Sequence, residues 1–399
     1  MAPAQRNVII LAICQGMSVS GLVILGIVAV LAGQLLSDDP AFASLPLAMQ
    51  LTGTMLMTIP ASLLMAKVGR RAGFIFGQII GIAGGCLGAY ALMYVKSFEL
   101  LCVAGLLVGV SNAFWQYYRF AAVDTAGEDY KARAISYVLA GGLIAALVGP
   151  EVAKIAEDLF APVAFAGSYL AYVGFCVAGI LVLTSLNIPK PAEGWNISGG
   201  RPLQEIMRQP TFIVAVMSGM VGYGLMVLVM TATPLSMMAC GFVFDDAAFI
   251  IQWHAFFMFA PGFLTGHLVR WFGVTVVIMT GTLFMLMAMI ANTSGITIYN
   301  FWFGLVTLGI GWNFMFIGGT TLLTETYQPE EKAKVQAAND FLVFSTAAIA
   351  SFSSGALQSL LGWNAVNLAV IAPALIVFCV AFWLRTRRHT TVIAERSTP

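Results

Sequence analysis

Asn112–Arg133 reads NAFWQYYRFAAVDTAGEDYKAR, and Asn313–Lys334 reads NFMFIGGTTLLTETYQPEEKAK. The two segments align without a gap at an offset of 201 residues, half of the 399-residue chain. Asn112 matches Asn313, Thr125 matches Thr326, Lys131 matches Lys332 and Ala132 matches Ala333. Charge sign is kept where Asp124 faces Glu325, Asp129 faces Glu330 and Arg133 faces Lys334. The half-chain offset gives these few identities their weight. A chain built from two similar halves is expected to work across the interface between them.

Composition names the medium in which those halves fold. Hydrophobic residues make up 60% of the chain and charged residues 9%, against about 25% charged in an ordinary globular domain. Apolar runs near or above the roughly 20 residues that span a bilayer, without strand-like alternation, predict membrane helices and not a β-barrel. The run 8–33 is too long for a signal-peptide core and reads as the first span. The six cysteines are scattered with no CxxC and the three histidines do not cluster, which argues against a disulfide framework, a metal site or any cofactor. No basic run points to nucleic acid. No Walker phosphate loop and no nucleophile–base constellation points to ATP hydrolysis or to an enzyme.

Apolar runs between polar breaks predict twelve spans, at 8–33, 45–66, 72–95, 99–123, 133–153, 162–187, 210–236, 247–269, 274–293, 299–323, 335–358 and 363–384. With the N-terminus inside, the inner segments hold Arg6, Lys67, Arg70, Arg71, Lys131, Arg133, Lys190, Arg201, Arg208, Arg270, Lys332, Lys334 and the basic tail from Arg385 to Arg396. Outer segments hold only Lys96 and Lys154, and Arg119 lies within a span. This bias predicts that both termini are cytoplasmic. The largest inner connection, 188–209, reads as a linker between an N-terminal bundle (1–187) and a C-terminal one (210–399).

Six plus six helices with a central inner linker resemble the major facilitator superfamily of secondary transporters. A loop motif carries the resemblance further. The family places G-x-L-x-D-R-x-G-R-K between spans two and three; this chain has Ser62-Leu63-Leu64-Met65-Ala66-Lys67-Val68-Gly69-Arg70-Arg71. Lys67, Gly69, Arg70 and Arg71 match, while Ser62 replaces the first glycine and Ala66 the aspartate. The second half has Gly266-His267-Leu268-Val269-Arg270-Trp271-Phe272-Gly273 there, with the glycine spacing kept. Gly141-Gly142 and Gly149-Pro150 resemble the family's antiporter motif without its later glycines, and equally suit a small-residue helix contact. The resemblance implies an all-α fold of two pseudo-symmetric six-helix bundles. It also implies a loop that latches them and a central cavity lined by spans one, four, seven and ten.

Polar side chains inside spans are the candidates for function. Asn112, Trp115, Gln116 and Arg119 fall at i, i+3, i+4 and i+7, on one helical face. The family places that span on the cavity, so the stripe is expected to face solute. Arg119 has a second reading, snorkelling to the inner surface or pairing with Asp124. In the tenth span Asn313, Phe316 and Thr320 share a face flanked by Trp312, and Asn112 and Asn313 would hold a solute between them or else bond neighbouring helices. Gln15, Ser18 and Tyr223 complete the expected cavity. For proton coupling the candidates are Asp340, Glu151 and His254, with alternatives in a lysine partner (Lys332 or Lys334), outer water and helix packing, respectively. Asp124 and Glu325 are expected to gate through basic loops.

The expectation is a monomeric secondary transporter of a small organic solute in the inner membrane, driven by protons. The rivals are a drug efflux pump and a transport-inactive receptor or assembly factor. The 20 methionines and 12% aromatics suit either a greasy cavity or a lipid-facing surface.

Overall fold

The computed structural model describes residues 3–124, 128–188 and 200–397. Its first half contains α1 (Pro3–Leu36), α2 (Leu45–Val68), α3 (Arg70–Tyr90) continued by a π-helical turn (Ala91–Val95), α4 (Phe98–Trp115), α5 (Tyr118–Asp124), α6 (Glu128–Glu157) and α7 (Ala166–Leu183). A short α8 (Leu203–Met207) precedes α9 (Pro210–Ala239), α10 (Phe244–Phe259), α11 (Gly262–Phe272), α12 (Val274–Thr293), α13 (Ile298–Leu323), α14 (Lys332–Leu368) and α15 (Ile371–Ser397). No strand occurs among the described residues.

Each of the twelve sequence spans falls on a helix or a helix pair. By length and apolar composition alone, nine stretches of the described residues qualify as spans, or ten if α10 and α11, bent by 42°, count as one. One of the nine, Lys334–Arg388, is 55 residues long, far more than a single crossing needs. Gly362 breaks it, with φ 78° and ψ 179° inside α14, a conformation open to glycine. Three boundaries differ from the sequence reading. The fourth span divides at Gln116–Tyr117, the eighth at Ala260–Pro261, and the twelfth is interrupted at Ala369–Val370.

Helix pairing repeats between the halves. α1 lies along α6 as α9 lies along α14; α2 packs on α4 as α10 on α13; α3 packs on α4 and α7 as α12 on α13 and α15. The two seams joining the halves, α2–α14 and α6–α10, obey the same relation. The loop motif repeats too, because Gly69 (φ 92°, ψ 157°) and Gly273 (φ 88°, ψ 150°) turn the chain identically between paired helices. The glycines of α6 serve helix contact. A Cβ on Gly141 would meet Ala12 O at 2.5 Å and one on Gly149 would meet Ser20 O at 3.1 Å, both on α1.

The halves are joined most closely at the ends that the charge pattern places outside. There Ile24–Ala32 of α1, Ala43 and Leu47 share one apolar core with Leu235, Phe244, Ala248 and Ile251. Ser44, fully buried, donates to Phe352 O (3.3 Å) and accepts from the Gly355 N–H (3.1 Å) of α14. A Cβ on Gly355 would lie 2.6 Å from Ser44 Oγ and 3.0 Å from Ala41 O. Farther inward the apolar cores are separate, one drawing its buried residues from 8–186 and the other from 206–384.

On the inner side a polar knot ties the end of the linker to the loop before α14. Glu331, 1% exposed, accepts from Arg201 Nε (2.9 Å) and Nη2 (2.7 Å) and from the backbone N–H of Arg201 (2.7 Å) and Gln328 (2.9 Å). Arg201 and Gln209 both donate to Thr326 O, each at 3.1 Å. The bidentate guanidinium and the two N–H groups hold the Glu331 carboxyl far below the usual carboxylate range. Such a group contributes stability above its unfolded pKa, about 4.3, and loses it only as pH falls through the lower folded value. Glu331→Gln is therefore expected to lower the melting temperature of the purified protein equally at about pH 7 and about pH 5. A wild type that loses this increment between those pH values would contradict the knot.

Candidate functional site

One aromatic cluster of the second half lines one face of α13. Trp312 and Phe316 stack nearly parallel, with centroids 5.1 Å apart and planes 10° from coincidence. Tyr223 of α9 sets its edge against both, at 5.8 Å and 5.7 Å, and meets Phe344 of α14 at 5.5 Å. Exposure rises along this face from buried Trp312 through half-buried Phe316 to exposed Thr320. The face therefore opens toward the inner end of α13. Asn313 lies off it. Its Oδ1 accepts from Thr265 Oγ1 (2.6 Å) and its Nδ2 donates to Met258 O (2.7 Å), so the amide pins α13 across the α10–α11 bend.

The face that α4 presents is set by a register slip absent from the sequence alignment. Gly81 of α3 packs on Ser111 as Gly281 of α12 packs on Gly311, an offset of 200 and not 201. Gly109 and Gly309 agree, each pressed on the backbone of the preceding paired helix, at Gln50 O and His254 O. The missing residue is absorbed where α4 ends. Tyr117 N–H bonds to Phe114 O (3.1 Å), an i−3 bond, before α5 starts at Tyr118. A tightened turn rises about 2.0 Å per residue in place of 1.5 Å, so it covers the same length with fewer residues. α13 runs unbroken through the matching stretch. Asn112 thus corresponds to Trp312 and Gln116 to Phe316, while Trp115 corresponds to Met315, which faces its own bundle. Trp115 accordingly lines a small cavity among α1, α3, α4 and α7 with Met17, Ser18, Gln78, Ser111 and Asn112. Its Nε1 donates to Asn112 Oδ1 at 3.0 Å.

Charges from the two halves meet below these walls. Arg119 of α5 lies within electrostatic reach of Asp340 of α14 and of Tyr223. Asp340 Oδ1 also accepts from Asn339 Nδ2 (3.1 Å). Tyr117, which the sequence reading turns away from the stripe, sits among these groups. Its hydroxyl donates to Thr58 O (2.9 Å), Arg70 of the loop motif lies 5.8 Å over its ring, and Asp340 and Arg119 act on it. Asp340 thus lies near a cation of the first half. Of the lysine partners expected for it, Lys334 donates to Arg201 O, and the Lys332 side chain lies outside the described residues.

The remaining candidates lie apart. Gln15 is buried with its Cβ against Gly141, at the α1–α6 crossing. Glu151 is exposed and pairs with Lys154 at 3.0 Å, as the outer-water alternative has it. His254 is fully buried and holds Leu305 O through Nδ1 (2.7 Å), the packing role. Glu325 pairs with Arg388 of α15 at 2.6 Å, within its own half. Lys67 and Arg71 are exposed beside buried Gly69. Asp124 ends α5, and its side chain lies outside the described residues. Sequence reasoning passed over Gln78, whose Nε2 donates to Tyr118 OH (3.0 Å) and Ser18 Oγ (3.2 Å), although an amide within an apolar run was signal enough. Asn313→Ala is expected to cost stability, about 1 kcal/mol for the lost interhelical bonds, and to leave solute affinity unchanged. Paired thermal-unfolding and binding measurements check both.

The chain is similar to known membrane transporters. The family model described as Major Facilitator Superfamily matches residues 8–351. The chain is 40% identical over 386 residues to the riboflavin transporter RfnT of Brucella anthropi, covering 96% of each protein. It is 28% and 27% identical, each over 375 residues, to the uncharacterized MFS-type transporters YdeG and YddS of Bacillus subtilis, covering 90% and 88% of this chain and 87% and 85% of theirs. With a family match along most of its length and an all-helical fold of paired spans, this integral membrane protein belongs to the major facilitator superfamily of transporters.

Proposed function

We propose that the protein carries riboflavin, or a closely similar flat heteroaromatic solute, across the cytoplasmic membrane by alternating access. The observation that carries this reading is the aromatic wall of Trp312, Phe316 and Tyr223 in the second half, with Arg119 of the first half within electrostatic reach of Tyr223; in this reading Gln116 and Arg119 supply the polar edge. A flat ring with a polar edge suits such a site, because aromatic faces prefer offset stacking and amides bond the edge. The likeness to a riboflavin transporter over nearly the whole chain supports the same solute.

Movement follows from the seams. Bundles 1–187 and 210–399, joined by the linker 188–209, rock about the site. Ser44 and Gly355 close the outer end, and the separate inner cores let the inner end open. Both termini are cytoplasmic in this reading, as the basic residues indicate. Asp340 near Arg119 is the coupling group. Proton binding to Asp340 neutralises one partner of a cross-half charge pair, which lowers the cost of separating the halves on that side.

Riboflavin uptake into proteoliposomes tests the reading. Wild type is expected to accumulate riboflavin when an inward proton gradient is imposed. Asp340→Asn is expected to lose accumulation while still exchanging labelled for unlabelled riboflavin. No flux of riboflavin under any ion gradient would remove the proposed solute, and gradient-driven accumulation by the Asn variant would remove the coupling role. Gly355→Val forces a Cβ into Ser44. It is expected to slow uptake by about tenfold or more, the scale of one overpacked contact, with binding retained.

A further inference from the structure

We infer that Tyr117 is the positioning residue of the inner gate: it ties the loop motif to the cross-half charges Arg119 and Asp340, with the help of a serine that stands where the family has glycine. The inference rests on the proposed rocking of the two bundles and deepens it. Tyr117 sits at the break between α4 and α5, where its N–H makes the i−3 bond to Phe114 O. A turn of this kind advances about 120° per residue where an α-helix advances about 100°, so the break sets where the next side chains point. Tyr117 is half-buried, and its hydroxyl meets α2 twice. It donates to Thr58 O at 2.9 Å, and Ser62 bonds the same hydroxyl. Met55, Thr58 and Ser62 fall at i, i+3 and i+7, on one face of α2. Met55 Sδ accepts from Ser345 Oγ of α14 at 2.8 Å, so Tyr117 is pinned on the face that α2 turns toward the second half. A glycine at position 62 would leave the second of its bonds unmade.

The ring of Tyr117 faces the loop motif. Arg70, which opens α3 after the Gly69 turn, lies 5.8 Å over its centroid, within cation–π range. Asp340 and Arg119 act on the same tyrosine. Tyr117 thus reaches groups of the α2–α3 loop, of α5 and of α14, which belong to both halves. The motif residues Ser62–Arg71 contain no carboxylate, since Ala66 stands where the family has aspartate. In this chain the carboxylate comes from the second half as Asp340, and Tyr117 connects it to the loop. With the hydroxyl pinned, α5 starts in a fixed orientation, and Arg119 in its first turn is held toward Asp340. Without the pin the junction turns, the charge contact weakens and the inner end opens more readily. A tyrosine that only packed would loosen the junction whether or not Asp340 carried a charge.

The test is the distance between spin labels at Val68→Cys and Thr324→Cys, exposed positions at the inner ends of the two halves, read by pulsed electron paramagnetic resonance. The full chain is held in lipid nanodiscs, with the exposed Cys86, Cys240 and Cys379 replaced by serine. Tyr117→Phe keeps the ring under Arg70 and removes the hydroxyl; Ser62→Gly removes one bond and leaves Tyr117 in place. Each is expected to raise the ratio of open to closed inner ends about fivefold, the scale of one net hydrogen bond. Ser62→Thr keeps the hydroxyl and is expected to match wild type. In an Asp340→Asn background, Tyr117→Phe is expected to add less than about twofold, because the charge contact it supports is gone. If Tyr117→Phe, eluting as a single species, keeps the wild-type distances, or opens the Asp340→Asn protein by the full factor, the positioning role is overturned. Ser62→Gly, alone and with Asp340→Asn, decides in the same way should Tyr117→Phe aggregate. Ser62→Gly at wild-type distances beside an opened Tyr117→Phe removes the serine from the gate. The readout uses no solute and no gradient. These shifts in a protein that carries no riboflavin remove the proposed solute and keep the role of Tyr117; riboflavin flux with none of the shifts does the reverse.

Discussion

In a medium without water, a polar group either finds a partner in the protein or faces a cavity, and this condition sorts the polar residues here into scaffold and site. Thr54 donates to Gly109 O, Ser218 to Met315 O and Ser354 to Leu228 O, each tying one helix to another. Asn292 donates to Asn367, and Trp363 to Asn292 O. Asn313 and His254 belong with these, because their bonds run to neighbouring helices. Arg119 and Asp340 differ from these in that their electrostatic contact runs between the two halves.

The same constraint explains why the two halves are joined unevenly. Apolar surface offers little net attraction between helices already in lipid, so close backbone approach and specific bonds do the joining. Gly355 admits Ser44 to the surface of α14, and that contact lies where one apolar core crosses between the halves. At the opposite end the cross-half link is electrostatic, through Arg119 and Asp340, and the Arg201–Glu331 knot binds the linker end to the second half alone. A steric contact and a charge contact differ in how readily they exchange. Charges separate at low cost once water or a proton reaches them, whereas a fitted glycine contact is all or none.

The repeat is unequal in the place where inequality matters. The halves share helix pairings, the glycine turn between paired helices and the seams that join them. They differ in the i−3 bond at Tyr117, which drops one residue from the first half. Through that slip Asn112 corresponds to Trp312 and not to Asn313, and Asn313 bonds within its own half.

Much of the architecture was legible in the residues. Apolar runs located the helices and the half-chain offset announced the doubling, because helix length and lipid solubility are properties of local sequence. The face of Asn112, Gln116 and Arg119 was legible as a stripe. The partners were not. Whether Asn313 looks into the cavity or into α10, whether Asp340 lies near Arg119 or a loop lysine, and where Trp115 points depend on rotations of about 100° per residue. A single tightened turn changes them without changing composition. Local sequence therefore determined which helices exist, and only the packing of helices distant in the chain decided which polar atoms bond between helices, because that depends on how each helix is turned.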